Sequence, residues 1–226
     1  LMKEGGVLLS SIPGVTINSH QTLDLTINWT PTDTGATYIY GEVELTGDEI
    51  ATNNQTPHLD VNVYPAGTVA ITVGTGNSTG RMPMDFFYKN SLFETIYLSS
   101  ELNVGGLLTD IQFYNNFVTN LPGMPTNIWV GETTQTDLSA GWIPSTQLTQ
   151  VFNGNVDYPS GSNDIIIHLT TPYAYGGGNL VVMIERPMDT DWYSSSDVFR
   201  TQTGTVSNRT RNAYSDSLHY DPANPP

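Results

Sequence analysis

Apolar residues along this chain recur at every second position and almost nowhere at every third and fourth. The run LDLTINWT (Leu23–Thr30) sets Leu23, Leu25, Ile27 and Trp29 on one side. ATYIYGEVELTG (Ala36–Gly47) alternates through Tyr38, Tyr40, Val43 and Leu45, and HLDVNVYP (His58–Pro65) through Leu59, Val61 and Val63. A period of two belongs to a strand with one covered face; a helix would need a longer repeat. Between these runs lie segments of turn chemistry such as GDEIATNNQTP (Gly47–Pro57), and Gly41 marks a bulge or a close backbone approach. The pattern predicts an all-β chain built as two tandem β-sandwiches.

The second half carries further short strands. They are predicted at Val69–Val73, Phe93–Leu98, Leu107–Tyr114, Asn127–Val130, Leu148–Asn153, Asp164–Leu169, Asn179–Glu185 and Val198–Gln202. Trp129, Trp142, Phe152, Tyr173 and Tyr175 are core or rim aromatics of this half, with Trp142 expected at a sandwich edge. NNFVTNLPGMP (Asn115–Pro125) reads as a long loop able to contact a partner. The three glycines Gly176–Gly178 look like a phosphate loop, but a β-branched run closed by Pro187 follows them instead of a helix. They are therefore expected to form a turn between strands.

Two resemblances bear on this layout. Trp29, Pro31, Gly35, Tyr38, Asp48, Asn53 and Asn54, in their order, resemble the closing strands of a CARDB-type bacterial immunoglobulin-like domain. That resemblance covers residues 1 to about 64 and implies earlier strands upstream of LMKEGG, which reads as a strand end entering a turn. The segments GRMPMDFFYKNSLFETIY, IWVGET, GWIPS and YAYGGGNLVVMIERP resemble a jelly-roll β-sandwich module of large secreted bacterial proteins, similar in layout to adhesin and carbohydrate-binding domains. The expected domains are thus 1–66, partial and immunoglobulin-like, and 67–226, jelly-roll-like, with a last strand expected beyond Pro226.

Composition restricts function further. The 226 residues carry 22 acids against 7 bases, a net charge of −15, and only 13% are charged at all. Nucleic-acid binding needs clustered Lys and Arg, so it is not expected. Insertion into a membrane is not expected either, because no apolar run approaches the ~20 residues that span a bilayer. There is no cysteine, which excludes disulfides and thiolate chemistry. The four histidines (His20, His58, His168 and His219) show no metal-ligand spacing, no HExxH or G-x-S-x-G motif occurs, and no pair of acids stands out for acid–base work.

The loop DTDWYSSSD (Asp189–Asp197) concentrates what remains. Asp189, Asp191 and Asp197 are candidate ligands for structural calcium, which takes carboxylate, hydroxyl and carbonyl oxygens, although the EF-hand pattern is incomplete. Trp192 and Tyr193 are candidate platforms for a polysaccharide, with Tyr88, Tyr114 and Trp142 as weaker ones. Arg200, Arg209 and Arg211 gather basic charge near the C-terminus, which favours head-to-tail contact between copies of an acidic chain. The four N-x-S/T triplets, at Asn28, Asn54, Asn77 and Asn208, are expected to carry no meaning in a bacterial product. The expected role is a non-catalytic structural or adhesive module, extracellular or on the cell surface, with copies of itself or neighbouring domains as partners. A carbohydrate-binding module or an accessory domain of a secreted hydrolase is the alternative.

Overall fold

Alternation becomes ladder wherever a second strand lies within reach. A computed structural model describes residues 1–76, 78–204 and 207–226 and divides the chain into two units, Leu1–Ala70 and Ile71–Pro226. Asn77 of the third N-x-S/T triplet lies outside the described residues.

In the first unit, β1 (Met2–Lys3), β2 (Val7–Leu8), β3 (Gly35–Tyr40) and β4 (Leu59–Val63) form one antiparallel sheet in the order β2-β1-β3-β4. The expected turn after LMKE is there: Met2 pairs with Leu8 across it and with Tyr40 on the other side. Gly41 makes a close approach. Its N–H donates to Thr56 Oγ1 at 2.8 Å, and a Cβ there would meet Thr56 Cγ2 at 3.1 Å. Tyr38 stacks on His58 with ring centroids 4.1 Å apart, and Tyr40 closes over the same ring. The predicted strand Leu23–Thr30 does not form; Leu23 and Leu25 remain exposed. Alternation makes a segment able to be a strand, but only a ladder partner makes it one, and none of the described residues supplies it.

The second unit is a sandwich. Its strands are β5 (Ser78–Gly80), β6 (Asn90–Tyr97), β7 (Gly106–Phe117), β8 (Leu121–Thr133), β9 (Thr149–Tyr158), β10 (Gly161–Tyr175), β11 (Asn179–Arg186), β12 (Val198–Thr201) and β13 (Thr210–Ser215). One sheet runs β10-β7-β12-β5 and the other β13-β6-β11-β8-β9, all pairs antiparallel. Alternate residues of both sheets meet in one core: Phe93, Ile128, Val182 and Ile184 from the five-stranded sheet, Phe117, Ile165, Ile167 and Phe199 from the four-stranded one. A second, smaller apolar cluster lies on the far face of the five-stranded sheet. There Leu138 and Ile143, on the segment between β8 and β9, cover Ile96 and Val181.

Two expectations for this unit, one strand and one loop, are corrected, and one strand is new. Val69–Val73 is not a strand, and the sheet edge is built by Ser78–Gly80 instead. Asn115–Pro125 is not a long loop but a tight hairpin: β7 runs to Phe117 and β8 begins at Leu121. Pro122 and Gly123 suggested a loop, yet they sit where the β8 register slips between Leu121 and Met124, a bulge that tolerates proline. The edge strand β13 was not foreseen, because TRNAYS has no apolar alternation to betray it.

The glycines Gly176–Gly178 turn β10 into β11, as expected, and they do cradle an anion. That anion is the chain's own Glu132 carboxylate, which accepts Gly176 N–H at 2.7 Å and Gly178 N–H at 2.8 Å. A Cβ at Gly178 would stand 2.6 Å from Glu132 Oε2. Gly178→Ala is therefore expected to push the exposed Glu132 carboxylate aside and to lower stability by about 0.5–1.5 kcal/mol, the worth of the hydrogen bond it breaks. Chemical denaturation checks it. Glu132→Gln combined with Gly178→Ala should do no better than Gly178→Ala alone, since the clash is steric and not electrostatic.

Candidate functional site

Three consecutive aromatics, Phe86, Phe87 and Tyr88, precede β6. They lie in a turn, which sends neighbouring side chains in different directions. Phe86 turns into the core, where it lies edge-on to Phe117 and Tyr158. Phe87 and Tyr88 stay at the surface, half-buried. Asp85, buried just before them, sets their course: it accepts Phe87 N–H at 3.1 Å, faces Arg81 Nε at 3.3 Å, and its own N–H donates to Ser91 Oγ at 3.0 Å. Burial pushes the Asp85 carboxyl above its ordinary range, with Arg81 opposing.

The loop Pro187–Asp197 lies alongside this segment. Asp189 N–H donates to Lys89 O at 2.9 Å and Tyr193 N–H to Phe86 O at 2.8 Å. Beneath it sits Arg186, 1% exposed, at the end of β11. Its guanidinium donates to Tyr88 O, to Asp189 Oδ2 at 2.8 Å and to Asp191 O at 3.0 Å. It also lies against the rings of Phe86, at 5.2 Å, and Tyr193, at 5.4 Å, which meet each other edge-on. Burial lowers the arginine's affinity for its proton, and the Asp189 carboxylate offsets this. One buried cation thus fixes both the FFY segment and the loop.

The two aromatic candidates are separated by this packing. Tyr193, half-buried, packs against the core and Arg186. Trp192 turns outward and is 60% exposed. It meets Phe87 edge-on at 6.0 Å, Phe87 meets Tyr88 at 5.2 Å, and Tyr88 stacks on Tyr214 of β13 at 4.3 Å. Arg81 lies over the rings of Phe87 and Tyr88, at 5.0 and 5.6 Å. The outcome is a continuous aromatic strip, Trp192–Phe87–Tyr88–Tyr214, topped by a guanidinium at one end of the sandwich. Sequence reasoning found Trp192 and, weakly, Tyr88; it missed Phe87, Arg81 and Tyr214. The FFY run held the signal for Phe87.

The three aspartates expected to share calcium are employed separately. Asp197, fully buried, accepts Val118 N–H at 2.8 Å, Thr119 N–H at 2.9 Å and Ser194 N–H at 3.3 Å, tying the loop to the β7–β8 turn. Asp189 holds Arg186 and the N–H groups of Thr190 and Asp191. Asp191 is exposed and accepts from Thr190 Oγ1 at 3.3 Å. Among the described residues no group of three or more acidic or histidine side chains is placed to hold a metal ion. Asp197 and Asp189 direct their carboxylate oxygens to N–H and guanidinium donors.

The remaining candidates disperse. Arg200 lies over Tyr114 at 4.2 Å in the four-stranded sheet, whereas Arg209 and Arg211 belong to the edge of the other sheet. The basic cluster read from sequence is therefore not one patch. His168 pairs with Asp110, and His219 Nε2 lies 2.8 Å from Glu185 Oε1. Trp142 borders a cleft with Arg211. No helix among the described residues is long and apolar enough to cross a membrane.

No protein-family model matches this chain, and neither does any curated protein or solved structure. The class of protein is defined by its fold, an antiparallel all-β sandwich protein.

Proposed function

We propose that this chain is a non-catalytic adhesive module of a large secreted or surface bacterial protein. In this reading an immunoglobulin-like unit serves as spacer and a jelly-roll-like unit makes the contact. The observation that carries it is the aromatic strip: Trp192, 60% exposed, and Tyr214, 41% exposed, are held in line by Phe87 and Tyr88. Exposed aromatics cost solubility unless they meet a partner, and here a buried arginine and two backbone hydrogen bonds keep one of them in place. Asp85, Asp189 and Asp197 at this end are taken up by backbone and arginine donors, which supports binding over acid–base catalysis.

A polysaccharide fits such a strip, because sugar rings lay C–H faces on aromatic rings while Arg81 and Asp191 at its margins reach hydroxyls. Trp192→Ala is expected to weaken binding to the best polysaccharide in an insoluble- and soluble-glycan screen by about tenfold or more. Tyr193→Phe should leave it unchanged. Equal retention of both variants on the polysaccharide would refute the strip as the contact site.

A further inference from the structure

Beside β13 an open cleft of about 480 Å³ is lined by Trp142, Asn208, Arg211, Asn212, Ala213 and Pro226. Two of its walls are tightly fixed. Asn208, in the left-handed region at φ 62°, accepts Leu138 N–H at 2.7 Å through its carbonyl. Arg211 donates from Nε to Leu138 O at 2.7 Å. That bond orients the guanidinium and leaves its terminal nitrogens without a protein acceptor among the described residues.

Arg211 is unusual in this chain. Lys3, Arg81, Arg186 and Arg209 each have a carboxylate partner within 4 Å; Arg211, like Lys89 and Arg200, has none among the described residues, but of these three only Arg211 is held by its Nε in a cleft. The carboxylate opposite it in the ladder is Glu94, whose Oε2 instead accepts Ile143 N–H at 3.0 Å. Burial pushes the Glu94 carboxyl up to about 7, so at and below neutrality it compensates Arg211 only in part. A net −15 protein thus presents, in a cleft, a fixed guanidinium whose terminal N–H groups have no protein acceptor among the described residues.

We propose that this cleft binds a carboxylated saccharide, with Arg211 gripping the carboxylate and Trp142 stacking against the ring. A guanidinium held at Nε offers its two remaining edges to a planar carboxylate, the geometry of a bidentate pair. Trp142 supplies the apolar face a pyranose needs. Asn208 and Asn212 each offer both a donor and an acceptor, which suits ring hydroxyls rather than a bare anion. The site is separate from the aromatic strip and stands whether or not that strip binds anything.

The test is isothermal titration calorimetry of the full chain with trigalacturonate, a hyaluronan tetrasaccharide and sialyllactose, each beside its uncharged counterpart. At least one acidic sugar is expected to bind while its neutral counterpart does not. Arg211→Gln and Trp142→Ala are expected to weaken it about tenfold or more, and Trp192→Ala to leave it unchanged. Arg211 also holds the Leu138 carbonyl, so Arg211→Lys serves as the second variant. It retains charge and a donor but loses the fork, and it should fold normally and still lose most of the affinity. Failure of all three acidic sugars, equal binding of the neutral ones, or loss of binding in Trp192→Ala with Arg211→Lys intact would each overturn the proposal. A protein whose strip variant loses polysaccharide while the cleft still takes the acidic sugar shows that the two sites fail independently.

Discussion

Arg186→Ala is expected to unfold the end of the sandwich that carries the aromatic strip, at a cost of about 3–5 kcal/mol. The reason is what the arginine leaves behind. Its guanidinium satisfies the carbonyls of Tyr88 and Asp191 and the carboxylate of Asp189, all around a side chain 1% exposed. Truncation strips three acceptors of their donors and opens a cavity beside Phe86 and Tyr193. Arg186→Lys should recover only part of the loss, because one ammonium cannot reach three acceptors in one plane and stack on two rings. Arg186→Met tests the alternative that packing alone matters; it should be nearly as harmful as Ala if the hydrogen bonds dominate. Denaturant midpoints give the stability. Trp192 fluorescence anisotropy, in a protein with the other tryptophans replaced by Phe, reports on the loop. A midpoint shift in Arg186→Met below about 1 kcal/mol would show that the loop holds itself and the arginine is filler.

The sequence and the structure agree where a pattern has only one physical solution. Alternation with no helical repeat leaves only strands, and the second unit is a sandwich of them. NLVVMIER is apolar on both faces, and as β11 it lies central in its sheet with β6 and β8 on either side. Agreement fails where partners decide. LDLTINWT alternates as well as any strand in the chain yet pairs with nothing described, whereas TRNAYS, with no pattern, is paired along β6. The site was half legible for the same reason. Trp192 and Tyr193 are adjacent in a polar loop, and nothing local says that Arg186 claims one of them. The three aspartates resemble a cation loop by composition, but Asp197 goes to N–H groups brought from the β7–β8 turn, Asp189 to an arginine at the end of β11, and Asp191 only to the neighbouring Thr190 hydroxyl. Phe87 and Tyr214 are far apart in the chain, and only the pairing of β13 with β6 sets Tyr214 against Tyr88.

The largest pH effect is expected from Glu94, a carboxyl with no exposed surface and one oxygen, Oε1, that has no partner. Burial raises it from 4.5 to about 7, opposed by the Ile143 N–H and by Arg211 across the ladder. In the unfolded chain the group releases its proton near 4.5, whereas the folded protein retains it to about 7. Between those values the folded state binds more protons, so stability falls as pH rises. Below the lower value both states are protonated and the effect vanishes; above the upper one both are ionised and the loss is complete. At about 1.4 kcal/mol for each unit of difference, the full loss is about 3 kcal/mol. Glu94→Gln keeps an acceptor for Ile143 N–H and removes the ionisation. It is therefore expected to match the natural protein near pH 4.5 and to exceed it progressively, by up to about 3 kcal/mol, above pH 7. Denaturant titrations of both proteins across this range, compared as differences, cancel the carboxylates they share, among them Asp33 and Asp189, which are held low and titrate in the opposite sense at more acid pH. A difference that does not change with pH would mean that the buried carboxyl ionises in the folded protein as easily as in water. In that case Arg211 would be compensated from within, and the segment carrying Leu138 and Ile143 would be held by its apolar contacts alone.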